Sequence, residues 1–200
     1  MNMKKKKISS LVDNKLKIVN IKASFLMSKK IGPQTATKYI RRGGEGLRVT
    51  VFKHCQKLVN VTGIKNLKHY QEVRNFVRNY YRKVNGSHML SDRIDNIMVT
   101  RRMDCNYDQA AILNACKKLY RKNYCAYFGD EDRLTCKAIV LQPKERGKED
   151  CVSGTFSLFY TGSVTIMGLK DYEEIELCQQ MVDRIYNLAF RYGLKIKKEK

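Results

Sequence analysis

Two hundred residues, 43% of them hydrophobic, with 12 Gly, 2 Pro and no Trp, have the composition of a globular chain, sized for one domain or for two small halves sharing a core. Forty Lys and Arg against 19 Asp and Glu leave a net charge of +21, which points to a polyanionic partner, nucleic acid above all. No apolar run is long enough to cross a bilayer and no signal-peptide core follows the N-terminal lysines, so no membrane partner is expected, and the chain is expected to be intracellular with its 7 Cys reduced.

The chain opens on KKKK, and residues 1–15 read as a basic flexible tail; residues 193–200, containing KIKKEK, read the same way. Either fits a nuclear targeting signal, although a frayed charged end accounts for both. LKIVNIKASFLM, Leu16 to Met27, alternates as a strand does. PQTATKYIRR, from Pro33, reads as a short helix with Pro near its start and Gly43-Gly44 as its stop. RVTVFKHCQKLVNVTGIK, Arg48 to Lys65, reads as two strands in a hairpin. Asn66 then caps a long helix with Tyr70, Val73, Val77, Tyr80 and Val84 at helical spacing, ended by Asn85-Gly86.

The same order follows again. Arg93 to Met103 is a strand, and YDQAAILNACKKLYRK is a helix with Ala111, Ile112, Ala115 and Leu119 inward. TCKAIVLQP is an additional strand, and PKERGKEDCVSG is a polar loop. TFSLFYTGSVTIMGLK, Thr155 to Lys170, is a second hairpin, after which Asp171 caps a helix carrying Ile175, Cys178, Val182, Ile185 and Ala189. Caps and inward positions correspond at an offset of about 105 residues, which marks a duplication. Residues 16–90 form the first repeat and 91–192 the second. Two copies suggest a pseudo-symmetric α+β body, one sheet built from both halves with helices on one face.

Alternate residues of a strand share a face. Val19, Ile21, Ala23 and Phe25, Val49, Val51, Val59 and Val61, Ile97 and Val99, and Phe156, Leu158, Tyr160, Val164 and Ile166 form the core side. The opposite face carries Asn20, Lys22, Ser24, Arg48, Thr50, Phe52, Asn60 and Thr62, with Asn96, Met98, Thr155, Ser157, Phe159, Thr165 and Met167 from the second half. It holds small hydroxyls, Asn and one Phe beside each hairpin turn. An aromatic at the rim of a basic sheet can stack on a base or wedge between base pairs. Hydroxyls and Asn suit the minor groove, and Lys65 and Lys170, just past each hairpin, stand where phosphates would run. A sheet face covered by a partner protein or a loop is the competing reading.

These residues resemble the TATA-box-binding proteins, saddle-shaped basal transcription factors made of two direct repeats. FYTGSVTIMGLK is similar to the family's second-repeat signature (Phe-x-Ser-Gly, then three residues, x-Thr-Gly-x-Lys), and FKHCQKLVNVTGIK to its first-repeat copy with a longer turn. DNIM, from Asp95, resembles the second-repeat Gln-Asn-Met strand, and VNIKASF, from Val19, the first-repeat strand. The likeness runs from about residue 16 to 192. It implies a saddle with one curved antiparallel sheet and helices on its convex face. Asn20 and Asn96 fall where paired asparagines hydrogen-bond bases; Phe52 and Phe159 match one intercalating Phe of each repeat; Asn60, Thr62, Thr165 and Met167 fall on groove-contacting positions; Lys65 and Lys170 match phosphate-contacting lysines. Leu134 stands at the other Phe position of the second repeat.

Departures from the pattern are also present. The first repeat reads as shortened, lacking the strand that would carry its second Phe; Met167 replaces a Thr; the turn KHCQK lacks the Gly. Such reductions are similar to those of relatives encoded by large DNA viruses, which implies a host nucleus, viral factory or virion as the site of action, and a nucleus otherwise. The implied partners are double-stranded DNA, a factor-IIB-like protein and an RNA polymerase. Lys68, Arg74, Arg78, Arg82 and Lys83 on the first long helix and Asp171, Glu173, Glu174 and Glu176 opening the second would give an asymmetric docking surface.

No enzyme, metal or cofactor is expected. His54, His69 and His88 make no catalytic or metal pattern, no Gly-rich phosphate loop or G-x-S-x-G is present, and Cys125, Cys136 and Cys151 lack ligand spacing. Asp130, Glu131 and Asp132 read as a solvated acidic turn. The alternative function is a transcription adaptor that keeps the fold but has lost sequence-specific DNA binding.

Overall fold

The computed structural model describes residues 15–31, 38–42, 45–102, 108–120, 125–128, 138–141, 152–159 and 161–196. The first repeat supplies β1 (Lys17–Met27), β2 (Lys38–Arg42), β3 (Glu45–Val51), β4 (Leu58–Ile64) and α1 (Leu67–Asn85). The second supplies β5 (Met89–Arg101), α2 (Gln109–Tyr120), β6 (Cys125–Phe128), β7 (Ala138–Leu141), β8 (Thr155–Phe159), β9 (Val164–Leu169) and α3 (Glu173–Ile196). The last helix therefore continues past residue 192, and the second repeat's first strand begins before residue 91.

The nine strands among the described residues form one antiparallel sheet in the order β2-β3-β4-β1-β5-β9-β8-β7-β6. The middle strands pair with each other, and Ile21 lies opposite Ile97. These two are equivalent residues of the repeats, so a pseudo-twofold axis runs through that pair. Outward from it, β4, β3 and β2 on one side answer β9, β8 and β7 on the other, and β6 is the additional edge. Even the irregularities match: β1 shifts register against β4 between Ile21 and Ala23, and β5 against β9 between Ile97 and Val99. The result is the expected α+β saddle, a curved antiparallel sheet with the helices on its convex face.

The alternation of the strands decides which face is the core. Ile21, Ala23, Phe25, Val51, Val59, Val61, Ile97, Val99, Phe156, Leu158 and Ile166 have no exposed surface, and the helices lie over them. At about 25 cal/mol per Å2 of apolar area, this layer supplies the main driving force for folding. Each long helix starts where its cap predicts. Asn66 Oδ1 accepts the His69 N–H at 2.8 Å. Asp171 Oδ1 accepts the Glu173 N–H at 3.2 Å while the Glu174 carboxylate accepts the Asp171 N–H at 3.1 Å, a reciprocal capping box. Gly86, at φ 63°, ends α1 in the left-handed region and donates its N–H to the Arg82 carbonyl at 3.1 Å. Tyr70 of α1 donates to Asp92 of β5, and Arg74 Nε reaches the same carboxylate at 2.9 Å, tying the first helix to the second repeat. Burial, and then the Asp92 bond, push the Tyr70 phenol well above the usual tyrosine range, so it stays a donor.

Four sequence expectations change. Lys38–Arg42, expected at the end of a helix, is strand β2, paired with β3 from Lys38 opposite Val49 to Arg42 opposite Glu45. For Lys38–Arg42, pairing along β3 outweighs the local helix signal. The first repeat consequently does have a counterpart of β7. Its shortening lies elsewhere: among the described residues nothing corresponds to α2 or β6. Val84 and Leu119, expected inward, are 60% and 38% exposed, while Tyr81 and Cys116 are buried one turn-phase away. Pro33–Thr37 and Tyr160 lie outside the described residues.

Candidate nucleic-acid interface

The free face of the sheet is organised around the pseudo-twofold axis. Asn20 and Asn96 stand diagonally across it, Asn20 opposite Met98 and Lys22 opposite Asn96. Asn20 Oδ1 accepts the Gly63 N–H at 2.8 Å, and Asn96 Oδ1 accepts the Gly168 N–H at 2.5 Å. Both glycines have positive φ, 95° and 96°, a conformation that turns the peptide N–H toward the asparagine and that L side chains resist. Two residues further on, Lys65 Nζ donates to the Val19 carbonyl at 2.9 Å, and Lys170 Nζ donates to the Asp95 carbonyl. The Thr-Gly-x-Lys and Met-Gly-x-Lys phrases are thus one device built twice. Glycine fixes the asparagine, and lysine closes the gap between hairpin and central strand.

The chemistry follows from which amide atoms are used. With each carbonyl oxygen committed to a glycine, the Nδ2 group is the donor left for a ligand. Two such donors at the centre of a basic surface suit a row of acceptors. Both lysines are exposed and keep further N–H donors beyond the carbonyl each one holds.

The remaining expected residues sit around this centre. Phe52 follows β3 at the first hairpin turn and is 51% exposed. Phe159 ends β8 at the second turn and is half-buried. Thr62 and Thr165 are half-buried, and Met167 is 43% exposed. Asn60 is more enclosed than a groove contact needs: it is 7% exposed between Ser24 and Thr50, and its Nδ2 has no hydrogen-bond partner. Leu134 lies outside the described residues.

A cluster the sequence did not single out lies beside Asn96. Ser24 Oγ donates to Asp95 Oδ1 at 3.1 Å, and Arg93 Nε reaches Asp95 Oδ1 at 2.9 Å and Ser24 Oγ at 3.2 Å. The register shift between Lys22 and Ala23 turns Asp95 onto this face. The bulge has no composition signal, so its consequence was not legible. Arg93 neutralises a carboxylate that would otherwise repel phosphate. Among the described residues no group of His, Cys, Asp and Glu could hold a metal ion. Cys116 and Cys178 are buried, and burial, with Glu174 adding to it, pushes the Cys178 thiol up to about 12. Cys125, Cys136 and Cys151, Asp130, Glu131 and Asp132 have no described side chains.

Among solved structures, the TBP of Methanococcus jannaschii aligns with 87% of this chain and 99% of its own at a TM-score of 0.58 and 18% identity. The fold is that of a TBP. A complex of A. aeolicus tRNASec with M. kandleri SerRS aligns with 92% of this chain but only 32% of that one, at 12% identity and a TM-score of 0.40. No protein-family model and no curated protein matches the chain. The TBP fold explains the two-repeat saddle described above. No helix among the described residues is long and apolar enough to cross a membrane.

Proposed function

We propose that the concave sheet face binds the minor groove of A·T-rich double-stranded DNA, and that the chain is a TBP-like transcription initiation factor presenting bound DNA to a factor-IIB-like protein and an RNA polymerase. One observation carries the reading: the doubled Asn20–Gly63 and Asn96–Gly168 bonds, which leave two amide donors about the pseudo-twofold axis. The minor groove of A·T pairs offers acceptors, adenine N3 and thymine O2, on both strands. Phe52 and Phe159, one at each end, are the wedges, and kinking at them selects deformable A·T steps. The net charge of +21 supplies the phosphate attraction.

The test substitutes Asn20→Asp and Asn96→Asp together. Aspartate keeps the oxygen that accepts from glycine and replaces the outward donor by a second acceptor. Binding to labelled duplexes, one A·T-rich and one G·C-rich, is read by fluorescence anisotropy at two salt concentrations, with Phe52→Ala/Phe159→Ala alongside. Salt-sensitive binding that favours the A·T duplex, with at least about a tenfold loss in each double variant, is expected. Binding indifferent to duplex sequence and to both double variants leaves a basic protein with no groove reading. No binding to either duplex leaves the adaptor.

A further inference from the structure

The pseudo-twofold axis equates Asn20 with Asn96, and so equates the residue before each, Val19 with Asp95. Both stand at a bulge. Pairing between β1 and β5 passes from Ile18 opposite Val99 to Asn20 opposite Met98, and from Lys22 opposite Asn96 to Ala23 opposite Ile94. Val19 and Asp95 are the residues passed over, and a bulge re-aims side chains, so each shares the free face with its asparagine. Val19, expected in the core, is half-buried there. The backbone is held alike in both halves: Lys65 Nζ donates to the Val19 carbonyl at 2.9 Å, and Lys170 Nζ to that of Asp95. The side chains are opposites. An isopropyl group stands beside one central asparagine and a carboxylate beside the other.

Asp95 is fixed in place. Its Oδ1 accepts from Ser24 Oγ at 3.1 Å and from Arg93 Nε at 2.9 Å, and Ser24 is buried. A carboxylate accepts through both oxygens and donates through neither, so Oδ2 is the atom it offers a ligand. The side chain is 16% exposed, so a ligand meets one edge of it. Arg93 on the carboxylate and Lys170 on the backbone carbonyl of the same residue offset its repulsion of phosphate.

The chemistry of the minor groove decides what such an acceptor takes. A·T and T·A pairs present acceptors there, adenine N3 and thymine O2, which suit the Asn20 and Asn96 donors but leave a carboxylate facing lone pairs. The donor in that groove is the guanine N2 amino group. We infer, building on the minor-groove reading of this face, that Asp95 takes the N2 amino group of one guanine beside the centre of an otherwise A·T-rich site. The asparagines set the A·T background, and Asp95 sets one G·C pair within it. Val19 accepts no hydrogen bond from its side chain, so the first repeat has no such preference. The complex therefore takes one orientation on a core whose A·T pairs read alike from either end.

The probes are duplexes with a palindromic A·T core in which one pair, moved through a half-site, is G·C or inosine·C. Inosine lacks the N2 amino group and keeps the major-groove edge of guanine, so the two duplexes differ at the atom in question. Binding to the full-length protein is followed by fluorescence anisotropy. At one position beside the centre, G·C is expected to bind at least about tenfold more tightly than inosine·C. A second G·C at the symmetric position should add no more than about twofold, the factor for two equivalent orientations. Asp95→Val, which writes the first repeat's residue into the second, should bring the ratio of the two affinities to about one, with continued binding of the inosine duplex as the sign of a folded variant. Asp95→Asn, of the same shape but uncharged, should lower the ratio too. Equal affinity for G·C and inosine·C at every position, a second full gain from the symmetric pair, or a ratio that neither Asp95 variant moves would overturn the inference. So would an equal loss on every duplex in those variants, which would make Asp95 a holder of Arg93 and nothing more. Core binding that falls with Asn20→Asp/Asn96→Asp while the ratio stays at one removes this inference and keeps the minor-groove reading; binding to no duplex removes both.

Discussion

At the centre of the sheet the two repeats use the same residues for the same bonds, whereas under the helices they do not. Asn20 and Gly63 repeat in Asn96 and Gly168, and Lys65 repeats in Lys170. Four residues along from Ile21 and from Ile97, equivalence breaks: Phe25 is wholly buried and stacks on Tyr70 with centroids 6.3 Å apart, while its counterpart Arg101 is buried at 7% exposure and pairs with Asp183 of α3 at 2.5 Å. The turns differ too. Tyr186 of α3 donates to the Phe159 and Ser163 carbonyls at 3.3 and 3.5 Å, bracing the second turn from above. The longer first turn is braced from the side, by the Met27 N–H on the Lys57 carbonyl at 2.8 Å and the Ile31 N–H on that of Gln56. A pseudo-twofold axis demands equal geometry only where the halves meet. Away from it each half solves its own packing.

The glycines test how equal the centre is. Both sit at positive φ, so alanine is strained in either place. A Cβ on Gly63 would also come within 2.5 Å of the Gly46 carbonyl oxygen on β3, whereas on Gly168 the nearest atom, the Ser153 carbonyl oxygen, is at 3.5 Å. Gly168→Ala is expected to cost about 1–2 kcal/mol. Gly63→Ala is expected to cost about 3 kcal/mol or more, since backbone must move as well. Urea denaturation of both variants checks this, and equal losses would show that β3 yields freely.

A smaller effect separates the cores. Arg101 is 4% exposed along its side chain and Asp183 44%, and Arg101 Nε has no partner. Removing the acid leaves a buried cation, so Asp183→Ala is expected to cost about 2 kcal/mol, below the value for a wholly buried pair because water reaches the carboxylate. Arg101→Met removes the charge and roughly keeps the volume, leaving Asp183 to solvent and to Gln179 Nε2, which donates to it at 3.0 Å, and should cost less than about 1 kcal/mol. Thermal unfolding of the two variants side by side gives the order; the reverse order would mean that Asp183 depends on the arginine more than the arginine on it.

What could be read from the sequence follows the same division. The hairpins were legible because alternation and the repeated Gly-x-Lys phrase agree, and each strand's buried face is the one its alternation predicts. Strand β2 was not: Lys38 to Arg42 has no apolar alternation, and its partner β3 decides its state. Strand β6, four residues long, is too short for a period to show. At the site, Asn20, Asn96, Phe52 and Lys65 could be picked out by position. That glycine N–H groups hold the asparagines could not, because a hydrogen bond between residues 43 or 72 apart leaves no local pattern. The inward stripe of α1 was misread at Val84 because periodicity reports which residues are apolar and not which are buried: Tyr81 is buried and Val84 is 60% exposed.

The smallest difference lies at the start of the long helices and is visible only through pH. In the first repeat the Lys65 N–H is accepted by His69 Nδ1 at 3.4 Å. At the equivalent place Glu174 accepts the Lys170 N–H at 2.7 Å, together with the N–H of Asp171 at 3.1 Å and the Ser153 N–H and hydroxyl at 2.6 and 2.9 Å. Partial burial pushes the Glu174 carboxyl up, but these donors outweigh it, and the group sits below its ordinary value of 4.5. A carboxylate with a depressed folded-state pKa adds stability that is complete above its unfolded value and is lost as pH falls through the folded one. Glu174→Gln keeps an acceptor but removes the charge, and should lower stability at neutral pH by about 1 kcal/mol, the size of a helix cap. The gap between wild type and variant should hold steady down to about pH 5 and close below about 4.5, as the wild-type carboxylate is protonated. No gap at neutral pH would show that the oxygen's geometry, shared with glutamine, does the capping and that the charge adds nothing, which would make the second repeat's cap the equal of the neutral acceptor in the first.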